Sequence, residues 1–152
     1  MRIRNSVKAI IIRDGNLLCN KNKDDRGVFY CVPGGGQEYQ ENLHDAVVRE
    51  CYEEVGARIE VGELLFVRDY IGRNHNGQAR LRKVHQVEFF FRCQLVSGEV
   101  PQVGVGPDHY QIGVEWVPLT ELAERQFYPH DMIKWLLDLD GQPRPVYLGD
   151  MD

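Results

Sequence analysis

No stretch of the chain is less free in its fold than the one from Pro33 to Gly56. Three consecutive glycines, Gly34, Gly35 and Gly36, lead there into a helix-forming segment that ends Arg49-Glu50-Cys51-Tyr52-Glu53-Glu54-Val55-Gly56. The helix is expected from about Glu41 to Val55, with Gly56 placed to stop it. Set out at about 100° per residue from Leu43, Glu50, Glu53 and Glu54 fall within an arc of roughly 100°. Leu43, Ala46, Val47 and Cys51 fall on or beside the same arc, while Asp45, Arg49 and Tyr52 face the other way, toward solvent. Acidic residues kept for solubility belong opposite an apolar stripe, not on it. Like charges at i, i+3 and i+4 repel one another. Burying even one unpaired carboxylate costs several kcal/mol. A cation resolves the conflict, and oxygen donors of this kind suit Mg²⁺ or Mn²⁺. An acidic helix with no ligand is the plainer alternative.

The rest of the composition narrows the class. A length of 152 residues fits one domain, taken here as 1–152, that needs no disulfide staples. The cysteines, at 19, 31, 51 and 93, form no C-x-x-C pair and no zinc-ligand spacing, so they read as buried thiols. A net charge of −5 argues against duplex nucleic acid as a partner. The chain has no apolar run long enough to span a membrane and no secretory leader pattern, so a cytoplasmic location is expected.

Hydrophobic patterning predicts strands over Ser6–Arg13 and Leu17–Cys19 around an Asp14-Gly15-Asn16 turn. Asn20 to Gly27 reads as a polar connection and Val28–Val32 as a short strand. Further strands are expected over Arg58–Tyr70, with a break at Gly62, over Val84–Val96, and over Val114–Val117. Ile71–Lys83 reads as a polar loop carrying Arg73, Arg80, Arg82 and Lys83, and Ser97–Gly113 as a mobile one. Thr120 is placed to cap a short helix through Arg125, and Asp131–Leu139 is amphipathic. The class is mixed α and β.

The residues from Gly35 to Ala57 resemble the Nudix box, G-x5-E-x7-R-E-U-x-E-E-x-G-U with U a bulky aliphatic residue. Gly35, Glu41, Arg49, Glu50, Glu53, Glu54 and Gly56 meet every fixed position. Cys51 and Ala57 are smaller than the usual U residues, which touches only local packing. The opening strands, the Phe89-Phe90-Phe91 strand and Glu115-Trp116-Val117-Pro118-Leu119 are also similar to the rest of a Nudix domain. The resemblance implies an α/β/α sandwich with a mixed central sheet, and Mg²⁺- or Mn²⁺-dependent attack of water on phosphorus. The bond broken would be a phosphoanhydride in a nucleoside diphosphate linked to another moiety.

Glu50, Glu53 and Glu54 are then the expected metal ligands, with the Gly34 carbonyl completing the shell. Arg49 orients a box carboxylate, and Glu41 fixes the loop-to-helix geometry. Glu50 is a candidate general base, as are Glu88, Glu99 and Glu115 outside the box. Arg73, Arg82 and Glu88 are candidate substrate contacts, with solvated loop charge the plainer reading of each arginine. Secondary signatures leave the substrate open: Gly72 and Asn74 stand where subfamilies acting on ADP-ribose or dinucleoside polyphosphates carry Pro or Tyr. ADP-ribose or a nucleotide sugar is favoured over a nucleoside triphosphate, a dinucleoside polyphosphate or a capped RNA end. A nucleotide sensor without catalysis is the alternative, and relatives suggest a homodimer.

Overall fold

In the computed structural model, which describes residues 2–75 and 79–152, strand β1 (Arg4–Ile10) turns its two faces into two different cores. Val7 and Ala9 join the cluster beneath helix α1 (Leu43–Val55), with Ala46, Val47, Cys51 and Val55. Ile10, on the other face, joins Phe66, Phe90 and Leu136. Strand β7 (His85–Leu95) divides in the same way, Phe91 toward α1 and Phe90 away from it. This is why its sequence is apolar without alternation: both faces of a covered sheet need apolar side chains.

Between the two layers lies a five-stranded mixed sheet, with β5 (Gly34–Gly36), β6 (Ile59–Ile71) and β9 (Tyr147–Asp150) joining β1 and β7 in the order β5-β1-β7-β6-β9. Strands β5 and β6 run antiparallel to β1 and β7 respectively. The pairs β1–β7 and β6–β9 are parallel. A second sheet is built on β3 (Asn16–Asp24), paired with β8 (Gln111–Pro118) on one side. Its other side takes β4 (Gly27–Cys31) and the two-residue β2 (Ile12–Arg13). The layer opposite α1 contains the one-turn helix α2 (Ile133–Leu136), whose Trp135 ring lies 5.9 Å from that of Phe66. The α/β/α arrangement with a mixed sheet therefore holds.

Several boundaries move. The connection expected from Asn20 to Gly27 is mostly strand: β3 runs on to Asp24, with Asn20 and Asn22 buried. Asn20 and Asn22 are turned inward, which a pattern of apolar residues cannot reveal. The break expected at Gly62 is a shift of register between Val61 and Phe66 within a continuous strand. Asn42 caps α1, its side-chain oxygen accepting from the Asp45 amide at 2.9 Å, so the helix begins at Leu43 and not Glu41. No side chain caps the turn at Leu119–Glu121, and Thr120 has no such role. The strand Tyr147–Asp150 was not anticipated. Of the loop expected over Ile71–Lys83, residues 76–78 lie outside the described residues; the remainder forms two short 3-10 turns, Gly72–Asn74 and Ala79–Lys83. Among the described residues no helix is long and apolar enough to cross a membrane.

Candidate active site: an acidic helix against a glycine turn

Pairing of β5 with β1 sets the position of the glycine turn, Gly34 opposite Lys8 and Gly35 opposite Val7. Gly34 has φ of +147°, and a Cβ there would stand 2.0 Å from the Val7 carbonyl oxygen, so only glycine fits. A Cβ on Gly35 would stand 2.5 Å from the Glu50 carboxylate. The missing side chain is what allows Glu50 to lie against the backbone of the turn. Glu54 reaches the same turn: its Oε2 accepts from the Gly34 amide at 2.9 Å and from Asn20 Nδ2 at 2.6 Å. Two carboxylates one helical turn apart thus converge on Gly34 and Gly35.

Their surroundings make both reluctant to ionise. Glu54 is only 3% exposed, and burial pushes its carboxyl up from 4.5 to about 7. Lys8, the Gly34 amide and Asn20 act against that rise, and Asp108 adds to it. Burial also raises Glu50, with Arg49 opposing and Glu53 reinforcing. Two oxygens nearby, Asn20 Oδ1 and Gln111 Oε1, are buried with no hydrogen-bond partner. Each belongs to an amide whose nitrogen is spent on Glu54: Asn20 on its carboxylate, Gln111 on its main-chain carbonyl at 2.7 Å. Orphaned acceptors beside carboxylates that burial holds back from ionising describe a place short of positive charge.

Arg49 does not point to solvent as the helical projection suggests; its long side chain folds back along the helix. Nε and Nη2 clasp Glu41 at 2.8 and 3.0 Å, and Nη2 also reaches the Gly36 carbonyl at 2.9 Å. Nη1 donates to Glu50 at 3.0 Å and to Glu53 at 3.2 Å. One guanidinium therefore joins the glycine turn to three of the box glutamates, Glu41, Glu50 and Glu53, and holds Glu41 below the usual carboxylate range. Among the described residues no three acidic, imidazole or thiol side chains are gathered closely enough to hold a cation as they stand. Glu50 and Glu53 are turned to Arg49, and Glu54 to Gly34 and Asn20. The donor set nonetheless fits a hard divalent cation: carboxylates that repel one another, the backbone of the turn and unused amide oxygens.

The segment expected to be mobile is tied down where it passes the helix end. The amides of Gln102, Gly104 and Gly106 donate to the carbonyls of Val55, Glu54 and Glu53 at 2.9, 3.1 and 2.9 Å. Gly56, in the left-handed region at φ +62°, closes the last turn onto Tyr52. A Cβ on Gly104 would stand 2.3 Å from the Glu53 carbonyl oxygen and 2.6 Å from that of Tyr52. Gly104→Ala must therefore displace either the loop or the helix end bearing Glu53 and Glu54. We expect a kcat loss on the order of 10²-fold, as for a misplacement of about 1 Å, with a stability loss of about 1–3 kcal/mol. Wild-type kcat and melting temperature in this variant would show that the loop does not hold the helix end.

The other expected site residues are dispersed. Glu88 is buried on β7, its two oxygens taken by Arg68 Nε at 2.5 Å and Gln86 Nε2 at 2.5 Å. Burial alone would raise its pKa, but Arg68 and Lys8 outweigh that and lower it. It faces no common ligand space with Arg73 and Arg82, which line a separate cleft. Glu99 is bound by Arg58, and Glu115 by Tyr30 and Arg125. Lys8, Asn20, Asp108 and Gln111 went unnoticed in the sequence. Each is a single polar residue outside the box, and only the tertiary fold brings it to Glu54.

A family model described as the NUDIX domain matches residues 2–139. The nucleoside triphosphatase NudI of Escherichia coli K12 is 32% identical over 105 residues, which is 66% of this chain and 74% of that protein. Among solved structures, the MutT NUDIX hydrolase from Burkholderia pseudomallei is similar at TM-score 0.68 and 29% identity, covering 88% of this chain and 96% of that one. An ADP-ribose pyrophosphatase from Streptococcus suis is similar at TM-score 0.65 and 18% identity, covering 98% and 100% respectively. At that identity the likeness concerns the fold.

Proposed function

The chain belongs to the NUDIX family and is a pyrophosphohydrolase, and from that footing we propose that it hydrolyses a phosphoanhydride bond in a nucleoside diphosphate linked to another moiety. The observation that carries this reading is the convergence of Glu50 and Glu54 on the Gly34–Gly35 turn, where burial holds Glu54 near neutrality. When bound, Mg²⁺ or Mn²⁺ draws charge from the phosphate oxygens and lowers the pKa of a coordinated water. Glu50, Glu53 and Glu54 would hold it, with the Gly34 main chain beside them. Arg49 keeps Glu50 and Glu53 in register with the turn, and Asn20 and the Gly34 amide aim Glu54. Glu50 takes the proton from the attacking water, because its raised pKa brings it nearer the working pH than an exposed glutamate. Asp108, whose charge is felt at Glu54, is a further acidic candidate for this role outside the box.

Nucleoside triphosphates rank first among substrates, ahead of the ADP-ribose-like class favoured on sequence alone. The relative at 32% identity is named a nucleoside triphosphatase, whereas the ADP-ribose enzyme shares only 18%. Product analysis by ³¹P NMR on a panel of nucleoside triphosphates, ADP-ribose and UDP-sugars with Mg²⁺ tests the ranking. Pyrophosphate with nucleoside monophosphate from a triphosphate is the expected result. Turnover confined to ADP-ribose would reverse the order.

A further inference from the structure

Beyond the box, four cations from three separate segments line one cleft of about 390 Å³: Arg2, Arg73, Arg82 and Lys83. Its apolar wall is Ile3, Ile71 and Val84, and no acidic side chain lines it. Among the described residues, none of the four cationic side chains makes a hydrogen bond or an ion pair. Elsewhere Arg49, Arg58, Arg68, Arg92 and Arg125 are all paired with carboxylates. Grouping unpaired cations is unfavourable, and in a chain of net charge −5 it does not follow from an excess of basic residues. Solvated surface charge would explain scattered lysines; it does not explain convergence on an aliphatic floor.

The frame beneath the cations is fixed by hydrogen bonds. The Gly72 amide donates to the Val84 carbonyl at 2.9 Å, and the Val84 amide to Leu81 at 2.8 Å. A Cβ on Gly72 would stand 1.8 Å from the Leu81 carbonyl oxygen, so the two turns carrying Arg73 and Arg82 are in close backbone contact. Asp150 ties the first turn from outside the cleft, accepting from the Ile71 amide at 3.0 Å and from Asn74 Nδ2 at 2.6 Å, with His75 Nε2 at 2.7 Å. The cations are therefore presented by an ordered scaffold.

We propose that this cleft is a second anion site that binds a phosphate group, held by the Arg73 and Arg82 guanidiniums over the Ile3–Ile71–Val84 floor. Guanidinium forks match phosphate oxygens in pairs, and the aliphatic floor suits the organic part of a phosphate ester. Ile3 stands four residues before Val7, the partner of Gly35, so roughly 13 Å of extended strand separates the cleft from the glutamates. That is too far for the triphosphate of a nucleotide seated on the box. The phosphate is either a remote one on a longer substrate, such as a dinucleoside polyphosphate, or a free phosphate ion.

The test titrates inorganic phosphate into protein held in EDTA, read by melting temperature, for wild type, Glu53→Gln and the double variant Arg73→Gln/Arg82→Gln. Circular dichroism confirms that the double variant is folded. Phosphate should stabilise wild type and Glu53→Gln alike, less so as salt rises, and the double variant should bind at least tenfold more weakly. An unchanged titration in the folded double variant, or no response in wild type, overturns the proposal. A second arm, which rests on the hydrolase reading, compares KM for a dinucleoside polyphosphate with KM for the matching nucleoside triphosphate. A tenfold rise for the longer substrate alone in the double variant assigns the phosphate to the substrate. Equal KM values, with phosphate binding lost, assign it to free phosphate. An enzyme that turns over nothing yet keeps the wild-type phosphate titration would sink the hydrolase reading and leave the cleft assignment standing.

Discussion

Glu54→Gln is expected to make the metal-free protein more stable at neutral pH while cutting kcat by about 10³-fold. The two effects have one origin. Burial raises this carboxyl from 4.5 to about 7. Between those values the folded protein keeps a proton that the unfolded chain has released, so stability is fully present below pH 4.5 and falls as pH rises toward 7. At about 1.4 kcal/mol per pH unit the loss across that window is on the order of 3 kcal/mol. Glu50, also raised by burial, adds in the same direction. Glutamine keeps an acceptor for the Gly34 amide and Asn20 but carries no charge, so most of this decline should disappear. In EDTA at pH 8 the variant should melt above wild type by roughly 5 °C or more, given about 2–4 °C per kcal/mol at this size. Added Mg²⁺ should raise the wild-type melting temperature at pH 8 and leave the variant largely unmoved. Removing a ligand from an ion that contributes several kcal/mol to the transition state gives the kcat figure, at about 1.4 kcal/mol per tenfold. A variant that melts lower than wild type in EDTA at pH 8 would mean that Glu54 is not a strained acid.

Arg49→Ala should be the more damaging change to the fold. The guanidinium contacts Glu41, Glu50, Glu53 and the Gly36 carbonyl at once, and Glu41 and Glu50 side chains are only 14% and 12% exposed. Removing it leaves shielded carboxylates without their cation. Because the cluster borders solvent, the cost is set below that of a fully buried pair, at about 2–3 kcal/mol. Glu50, losing the charge that opposes its burial, should titrate higher still, moving the acid limb of the pH–rate profile upward. We expect kcat to fall by about 10- to 100-fold, the usual penalty for losing the partner that orients a ligand. Arg49→Lys should recover part of the stability and little of the rate, since an ammonium cannot clasp Glu41 with two nitrogens while also reaching Glu50. Wild-type kcat in Arg49→Lys would show that charge, not the planar fork, is what matters.

How much of this could be read from the sequence depended on whether the information was local. The box was legible because its constraints act within one helix and the turn before it. Acids on the apolar side, Gly56 at the stop and glycines where a Cβ cannot fit are all visible as spacing. The strand over Phe89-Phe90-Phe91 was legible because a sheet covered on both faces leaves a continuous apolar run. Asn20 was missed because an inward polar residue on β3 looks like a loop until its partner, Glu54, is known to lie across from it. The direction of Arg49 was misjudged because a helical projection places Cα positions, while a side chain this long returns to charges one turn away. Ser97–Gly113 reads as a mobile loop because glycine and proline mark turns. Glycine here also permits the close approach that lets the backbone clamp the last carbonyls of α1. Glu88 illustrates the limit for single acids: nothing near it in sequence indicates that Arg68, on the neighbouring strand, occupies it.

Metal-dependent hydrolysis at the box is tested most directly by kcat measured against Mg²⁺ concentration for wild type and Glu53→Gln, with a nucleoside triphosphate as substrate. Glu53 is the partly exposed member of the set, paired among the described residues only with Arg49, so its replacement disturbs the fold least. Wild type should show saturable dependence on Mg²⁺ and no turnover in EDTA, and the variant a loss of about 10³-fold that extra Mg²⁺ does not restore. Wild-type turnover in EDTA, or equal rates in the two proteins, would overturn metal-dependent hydrolysis at the box. So would an absence of turnover with every nucleotide while one of them still bound and stabilised the protein, the signature of a sensor.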